Sequence, residues 1–407
     1  MPVSTASPAA RPPVTSTYTQ TVSERRANLI LLAGMLGCFV FVLIEGLPGG
    51  LLVLMAESLN TSDARIGLLV TAFALVVLVT SIPLALVARR IPRRWALSGV
   101  LAVTAAATLW SALSTNYTSL MLSRMLAALA HALFWTVALP GTASFFPPAR
   151  RGRVLARLAI GNSLAPVLGI PAANWLAEVF SWRVSFWATS AVALCVFALV
   201  IVAYPTTKPP ESGATPAAHP HGHRFALQLT QTALIATGAF GVVVFVTAFM
   251  VNVPGFSVES LPVILLVQGL AGVLGPVVVQ RYVDRYAWQA LRIGILVTST
   301  ALIFLWAAGS HPVGAIVGIA VFAASWLSMP AVISHRAMQS SPWGIEIGIA
   351  TSSSSFNVGI SAGSALGALI DSVANVRWIP LAGAGLMLTA LVFLYLERRS
   401  YGIDPLH

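Results

Sequence analysis

Residues 29–56 read LILLAGMLGCFVFVLIEGLPGGLLVLMA and contain a single charged residue, Glu45. A helix needs about 20 predominantly apolar residues to cross a bilayer, so this run is long enough to do so. A carboxylate inside hydrocarbon is costly, and such groups usually face the interior of a helix bundle or a water-filled cavity. We therefore interpret 29–56 as a membrane span and Glu45 as a candidate functional residue.

The composition extends this interpretation to the whole chain. The 407 residues are 57% hydrophobic and 9% charged, with a mean hydropathy of +0.86, whereas soluble domains are about 25% charged. Cys38 and Cys195 both fall in apolar segments and predict neither a disulfide framework nor a metal site. No catalytic constellation is recognisable: paired carboxylates within a span, a phosphate loop and a nucleophile elbow are missing from the sequence. We predict a polytopic membrane protein that is not an enzyme and needs no cofactor or metal.

Twelve segments are long enough to span, and the Pro-, His- and Gly-rich stretch 205–225 separates six from six. This predicts an all-α integral membrane fold with bundles at 29–204 and 226–397, joined by a cytoplasmic linker. Residues 1–28 are predicted to be a disordered cytoplasmic tail, and 398–407 a second tail. The spans, numbered 1 to 12, are 29–56, 66–88, 95–114, 118–146, 153–178, 184–204, 226–251, 259–280, 289–309, 312–334, 344–371 and 378–397.

Charge predicts the orientation of the spans. If both termini are cytoplasmic, nineteen of the 23 Arg and Lys residues lie on the cytoplasmic side, as the positive-inside rule requires. The basic balance then reflects topology and does not indicate a nucleic-acid partner. We predict a multi-pass monomer in the inner (plasma) membrane, whose partners are the bilayer, a small-molecule substrate and protons.

The second half weakly repeats the first. Pro83 precedes the basic cluster 89–94, and Pro276 precedes Asp284 and Arg285 at the corresponding place. Six plus six spans related by a parallel repeat is the layout of the major facilitator architecture, in which the substrate site lies between the halves.

Span 4 supplies a second set of polar groups. Arg124, His131 and Trp135 fall in one narrow stripe of a helix. At about 1.5 Å per residue from the outer ends, Arg124 lies roughly 9 Å deep, Glu45 roughly 16 Å and His131 roughly 20 Å. We interpret Glu45, Arg124 and His131 as a proton relay. Alternatively, Arg124 reaches toward the outer interface, His131 is a packing residue, and Glu45 is only a structural partner of Arg124.

Other residues are candidates for substrate contact or for bending of helices. The aromatic candidates are Phe134, Trp135 and Trp326, and the polar ones are Asn252, Ser354 and Asn357. For each of these, lipid-facing or packing roles are the alternative. In span 5, Gly161, Pro166 and Gly169 permit close approach and bending of helices, as do the glycines and proline that follow Glu45.

The sequence Glu45-Gly46-Leu47-Pro48-Gly49-Gly50 and the stretch from Ser123 to Trp135 resemble drug:proton and sugar-efflux members of the major facilitator superfamily. Span 4 is most similar to the arabinose and sugar-efflux transporters. The resemblance implies twelve helices and proton antiport, with conformational motifs at Arg93, Arg94, Asp284 and Arg285. The loop between spans 2 and 3 departs from the family pattern, since its Asp and both glycines are missing.

These observations lead to a functional hypothesis. The chain is expected to be a proton-coupled exporter of drug-like or sugar-like solutes by alternating access, with Glu45 as the protonation site and Arg124 adjusting its protonation. A proton-coupled importer on the same fold is the alternative, and a non-transporting membrane sensor is the alternative from another class.

Overall fold

A computed structural model describes residues 23–88, 91–143, 145–146, 154, 157–158, 160–206, 221–279, 283–343 and 345–401. Within these ranges the regular elements are helices, and no strand occurs. In the part of the chain that the structure describes, eleven helical segments are long and apolar enough to cross a membrane, and one of them, Pro312–Ser340, joins two helices. The predicted all-α integral membrane fold is confirmed.

Helices of the first half follow the predicted spans closely. Span 5 is divided, because a π-helical turn at Ala165–Gly169 interrupts it. The helices are Glu24–Gly50 and Leu52–Ser58 (span 1), Asp63–Ala88 (span 2), Arg93–Leu113 (span 3), Tyr117–Ala143 (span 4), Ile170–Val179 (the end of span 5) and Trp182–Ala203 (span 6).

Helices of the second half also follow the predicted spans. Two short 3₁₀ turns, Val258–Ser260 and Val376–Trp378, precede spans 8 and 12. The helices are Gly222–Asn252 (span 7), Leu261–Val279 (span 8), Val283–Ala308 (span 9), Pro312–Trp326 and Met329–Ser340 (span 10), Ile345–Val373 (span 11) and Ile379–Tyr401 (span 12).

Several helices extend beyond the predicted span ends. The span 1 helix begins at Glu24, where the Ser23 hydroxyl accepts a hydrogen bond from the Arg26 amide at 3.4 Å. Residues 24–28 and 398–401, which the sequence assigns to the tails, therefore belong to helices, as do residues 222–225 of the predicted linker. Hydropathy marks only the part of a helix within hydrocarbon, so polar turns at the ends escape it.

Two spans break at proline-containing sequence. Span 1 breaks at Leu51, three residues after Pro48, and span 10 breaks just before Met329-Pro330. Proline has no backbone N–H and its ring clashes with the preceding turn, which weakens a helix at that point. Both breaks lie beside the cavity described below, so they allow the helix direction to change there.

In the described part of the chain, the two halves contact each other mainly through four pairs of spans: 1 with 7, 2 with 7, 2 with 11, and 5 with 8. The hydroxyls of Thr71 and Ser364 lie 2.8 Å apart, and Thr247 donates to the Gly49 carbonyl at 3.1 Å. Each of these four residues lies nearer to the end of its helix that is opposite the arginine-rich segments. The halves are therefore packed together at the end that the charge distribution predicts to be outside.

Candidate functional site

A cavity of about 120 Å³ lies between the two halves. Spans 1, 2 and 5 form its walls on one side and spans 7, 8 and 10 on the other. Glu45 and Gln268 contribute its acceptor side chains, while the remaining described lining consists of glycine, proline, aliphatic and aromatic residues. The side chain of Glu45 lines this cavity and keeps 24% of its surface exposed.

Glycines bring span 1 close to its neighbours at the level of Glu45. A Cβ on either Gly46 or Gly50 would lie 2.6 Å from the Ile170 side chain of span 5, and one on Gly49 would lie 3.2 Å from the Val244 backbone of span 7. A side chain at any of these positions would force its neighbour to shift, so glycine favours this close approach. The carboxylate therefore lies next to the contact between the two halves.

His131 is the described basic group nearest to Glu45. Its Nε2 lies 3.8 Å from Glu45 Oε2, and the same nitrogen accepts a hydrogen bond from the Trp135 indole N–H at 2.8 Å. A nitrogen that accepts this bond carries no proton, so His131 is a neutral imidazole in this arrangement. A proton on Nε2 would break the bond to Trp135 and create a charged donor facing Glu45.

Arg124 is buried inside the first half and does not form the predicted direct pair with Glu45. It is 1% exposed, and its guanidinium sits 4.7 Å from the ring centre of Phe73, in a cation–π contact. Among the described residues, no carboxylate lies within 4.0 Å of Arg124, and its Nε and Nη2 have no hydrogen-bond partner. Because Arg124 is buried, it does not reach toward the outer interface.

The cluster therefore holds a carboxylate exposed to a cavity, an imidazole beside it and a buried cation nearby. Buried charges need partners or neutralise by proton exchange. A proton that binds Glu45 would leave Arg124 as the excess charge, and one that binds His131 would pair with the Glu45 carboxylate. Both exchanges alter electrostatics next to the packed glycines of span 1. The arrangement is chemically suited to coupling protonation with movement of the halves.

The structure distributes the predicted substrate residues among different environments. Trp326 lines the cavity. Phe134 does not, because it is 2% exposed and stacks on Phe41, with ring centres 3.8 Å apart. Trp135 is half-buried and bonds His131. These contacts make Phe134 a packing residue of the first bundle.

The polar candidates lie away from the cavity lining. Asn252 borders a separate pocket, beside Asn375 and Arg377 at the loop ends of the second half. The Asn357 amide donates to the Ser353 carbonyl of its own helix at 3.0 Å. Ser354 is half-buried in the same helix and is not among the residues that line the cavity.

Three of the residues predicted to control conformation, Gly161, Pro166 and Gly169, lie where span 5 packs on its neighbours. A Cβ at Gly161 would collide with the Met35 carbonyl oxygen, and Pro166 lines the cavity within the π-helical turn. A Cβ at Gly169 would lie 3.0 Å from Phe39. Span 5 thus packs closely on span 1. The remaining predicted residues are Arg93 and Arg94, which begin span 3, and Asp284 and Arg285, whose side chains lie outside the described residues.

A buried charged cluster in the second half was missed by the sequence reasoning. Glu397 is fully buried and accepts hydrogen bonds from Arg224 Nε at 3.0 Å and from Arg336. Gln228 and Gln231 donate to the same carboxylate at 2.9 and 3.1 Å. Spans 7, 10 and 12 are joined by this cluster. Its signal in the sequence was weak, because Glu397 is followed by Arg398 and Arg399 and resembles an exposed helix end.

Comparison with known proteins agrees with this architecture. Residues 34–345 match the family model described as the Major Facilitator Superfamily. A bacterial homolog of the human lysosomal transporter Spinster, in an inward-facing and unoccupied conformation, is similar in structure: the TM-score is 0.72 and the identity 17%, over 93% of this chain and 98% of that one. A mutant of the nucleoside transporter NupG gives a TM-score of 0.71 at 13% identity, over 91% and 100% of the two chains. At these identities the likeness concerns the fold.

Proposed function

The chain belongs to the major facilitator superfamily and is therefore a multi-pass membrane transporter, and we propose that it exports a small solute in exchange for protons. Glu45 is the proposed protonation site, and His131 is the group that exchanges the proton with it. The observation that carries this proposal is the 3.8 Å contact between the two side chains at the edge of the cavity.

In the proposed coupling, protonation changes the hydrogen-bond partner of His131 Nε2 from Trp135 to Glu45. In the described arrangement Trp135 donates to His131 Nε2, so the imidazole is neutral. Protonation of that nitrogen would exchange the Trp135 bond for a charge-assisted bond to the ionised Glu45, which is the stronger kind. Trp135 would then be released, and the Glu45 carboxylate would be drawn from the cavity toward span 4.

The same segment of span 1 touches the other half, which provides a route from protonation to movement. Gly49 packs against Val244 of span 7 and its carbonyl accepts from Thr247, also of span 7, at 3.1 Å. Within the first half, Gly46 and Gly50 pack against Ile170 of span 5, and Asn174 of the same span donates to the Gly50 carbonyl at 2.7 Å. A displacement of Glu45 by even part of a helical turn would disturb these close contacts. We take the arginine-rich end as cytoplasmic, so the proposed state is closed outside, and inward proton movement would drive export.

The proposal is tested by Glu45→Gln in proteoliposomes that carry an imposed pH gradient. The variant removes the titratable group while keeping its shape, and we expect solute-dependent proton flux to fall to the level of empty vesicles. Glu57→Gln is the matched control, since Glu57 is exposed at the end of the helix Leu52–Ser58. Unchanged flux in Glu45→Gln would show that the proton is carried elsewhere. Solute that accumulates with the proton flow, instead of against it, would establish the importer.

A further inference from the structure

The chemistry of the cavity narrows the class of solute. We propose that the transported solute is compact, ring-shaped and mostly apolar, with one or two N–H or O–H donors, and is not a polyhydroxylated sugar. It would lie between Glu45 and Trp326 and donate a hydrogen bond to Gln268. This inference rests on the proposed transport function and assigns the substrate of the same site.

Polar groups in the cavity are too few for a sugar. Glu45 and Gln268 are the only lining side chains among the described residues that offer acceptor oxygens, and Gly, Val, Leu, Ile, Pro, Ala and aromatic residues make up the rest. A monosaccharide carries several hydroxyl groups, and each one left unpaired in an apolar site lowers affinity by roughly five- to a hundredfold. Two acceptors suit a solute with one or two donors.

Aromatic residues form one wall of the cavity. Trp326 stacks on Phe356 with ring centres 5.8 Å apart and planes 12° apart, while Phe240 meets Trp326 edge-on at 5.7 Å. Phe356 supports the tryptophan from outside the lining, whereas Trp326 and Phe240 face the cavity. A tryptophan ring fixed on two sides provides a pre-organised surface on which another ring can stack.

Gln268 supplies an acceptor that the protein itself leaves unused. Its Oε1 is buried and has no hydrogen-bond partner among the described residues, although most buried polar atoms have one. The residue lies on span 8, across the cavity from Glu45 on span 1. A solute that donates to this oxygen would satisfy a buried acceptor and would touch both halves at once.

The size of the cavity agrees with a single ring. Its volume of about 120 Å³ is close to the roughly 150 Å³ of an apolar protein cavity known to take up benzene. It is well below the roughly 300–1,000 Å³ of pockets that hold drug-sized molecules. The site as described therefore favours one ring over an extended polycyclic compound.

The inference is tested by calorimetric binding to the full-length protein in detergent, with no proton gradient. Benzylamine, benzamide and phenol are the ring probes, and arabinose and glucose are the sugar probes. We expect at least one ring probe to bind and neither sugar to do so. Gln268→Leu should weaken ring binding by roughly fivefold or more, and Trp326→Leu by roughly three- to tenfold. Trp175→Leu is the control, since Trp175 is 52% exposed.

Three results would overturn the inference: binding of either sugar, failure of all three ring probes to bind, or ring binding that Gln268→Leu leaves unchanged. Gln268→Leu is expected to fold because it removes an acceptor that has no partner, so it decides the question even if Trp326→Leu is unstable. Binding is measured in the absence of a proton gradient, so its result does not depend on proton coupling. If Glu45→Gln fails to abolish proton flux, the proposed coupling is refuted, but the inference about the class of solute still stands.

Discussion

Replacing Glu397 by glutamine removes the carboxylate that Arg224 and Arg336 both bind. Glutamine keeps the shape of the side chain but loses the charge and one acceptor oxygen. Its amide nitrogen would face either Gln231 and Arg336 or Gln228 and Arg224, all of which donate hydrogen bonds to Glu397. The variant therefore leaves two cations without their counter-charge and places donors opposite a donor.

The magnitude follows from the burial of the partners. Glu397 is fully buried and the Arg336 side chain is 6% exposed, so water compensates little for the lost pair. The Arg224 side chain is 20% exposed and keeps part of its hydration. Breaking a buried pair by removing one partner costs about 3–5 kcal/mol. We expect Glu397→Gln to lower the free energy of unfolding by that amount, and the exposed Glu57→Gln to change it by less than about 0.5 kcal/mol.

The measurement uses a thiol-reactive fluorescent dye during heating of the purified protein. Cys38 is buried and Cys195 is exposed, so a Cys195→Ser background leaves Cys38 as a thiol that reacts only on unfolding. The unfolding temperature of Glu397→Gln should fall by several degrees below that of Glu57→Gln. Adding Arg336→Gln should cost less in the Glu397→Gln background than in the parent, with a coupling of about 0.5–3 kcal/mol.

If Glu397→Gln unfolds at the same temperature as Glu57→Gln, the cluster does not stabilise the second half, and the argument from burial is refuted. Additive effects of the Glu397 and Arg336 substitutions would refute it as well, because residues that share a hydrogen bond are expected to couple.

Three substitutions test the first half. Trp135→Phe keeps a ring but removes the N–H that binds unprotonated His131. Protonation of His131 becomes easier, so the pH at which transport is half-maximal should rise, while the Kd of the solute stays constant. An unchanged half-maximal pH would contradict the proposed exchange of Trp135 for Glu45 as the partner of His131. Phe134→Leu should cost about 1–3 kcal/mol in thermal unfolding without weakening solute binding, since Phe134 is buried in the bundle; weaker binding would make it a contact residue. Gly161→Leu should abolish folded expression, measured by fluorescence size-exclusion chromatography, because a Cβ at this position collides with the Met35 carbonyl oxygen. Ala127→Leu is the control and should be less affected, since Ala127 is also buried but already carries a Cβ. Folded Gly161→Leu would contradict the tight packing on Met35.

The fold was predictable because it follows from two properties that can be read along the sequence, hydropathy and the placement of arginines. Hydropathy fixes where a helix must cross the bilayer, and arginine placement fixes which side each loop occupies. Helix breaks were not predictable in the same way. The described helices continue for at least three residues beyond Pro83 and Pro276, whereas the helix that contains Pro48 ends two residues later, at Gly50. Neighbouring helices decide whether a proline bends or ends a span.

The candidate site was predictable in its members but not in their pairing. Counting depth along spans 1 and 4 places Glu45 between Arg124 and His131, so the partner of the carboxylate depends on which faces of the two helices meet. The structure puts His131 at 3.8 Å from Glu45 and Arg124 over Phe73. Periodicity within one span does not predict how each helix is rotated about its axis, because that rotation depends on packing against all the neighbouring spans.

The corresponding sets of spans in the two halves, 1, 4 and 6 and 7, 10 and 12, are each joined by polar contacts, but the groups that make these contacts differ. In the first half, spans 1 and 6 are joined by Arg26, which donates to the Ala203 carbonyl at 2.8 Å, and spans 4 and 6 by the Thr142 and Tyr204 hydroxyls at 2.7 Å. The corresponding spans 7, 10 and 12 are joined by the buried carboxylate of Glu397. A carboxylate that accepts four hydrogen bonds, two of them from arginines, restrains three helices more strongly than one arginine–carbonyl bond and one hydroxyl pair do. The first half instead has Glu45 in the lining of the cavity, with His131 beside it. If the proposed proton coupling holds, we expect the second half to be the firmer support and the first half to be the part whose charge state varies.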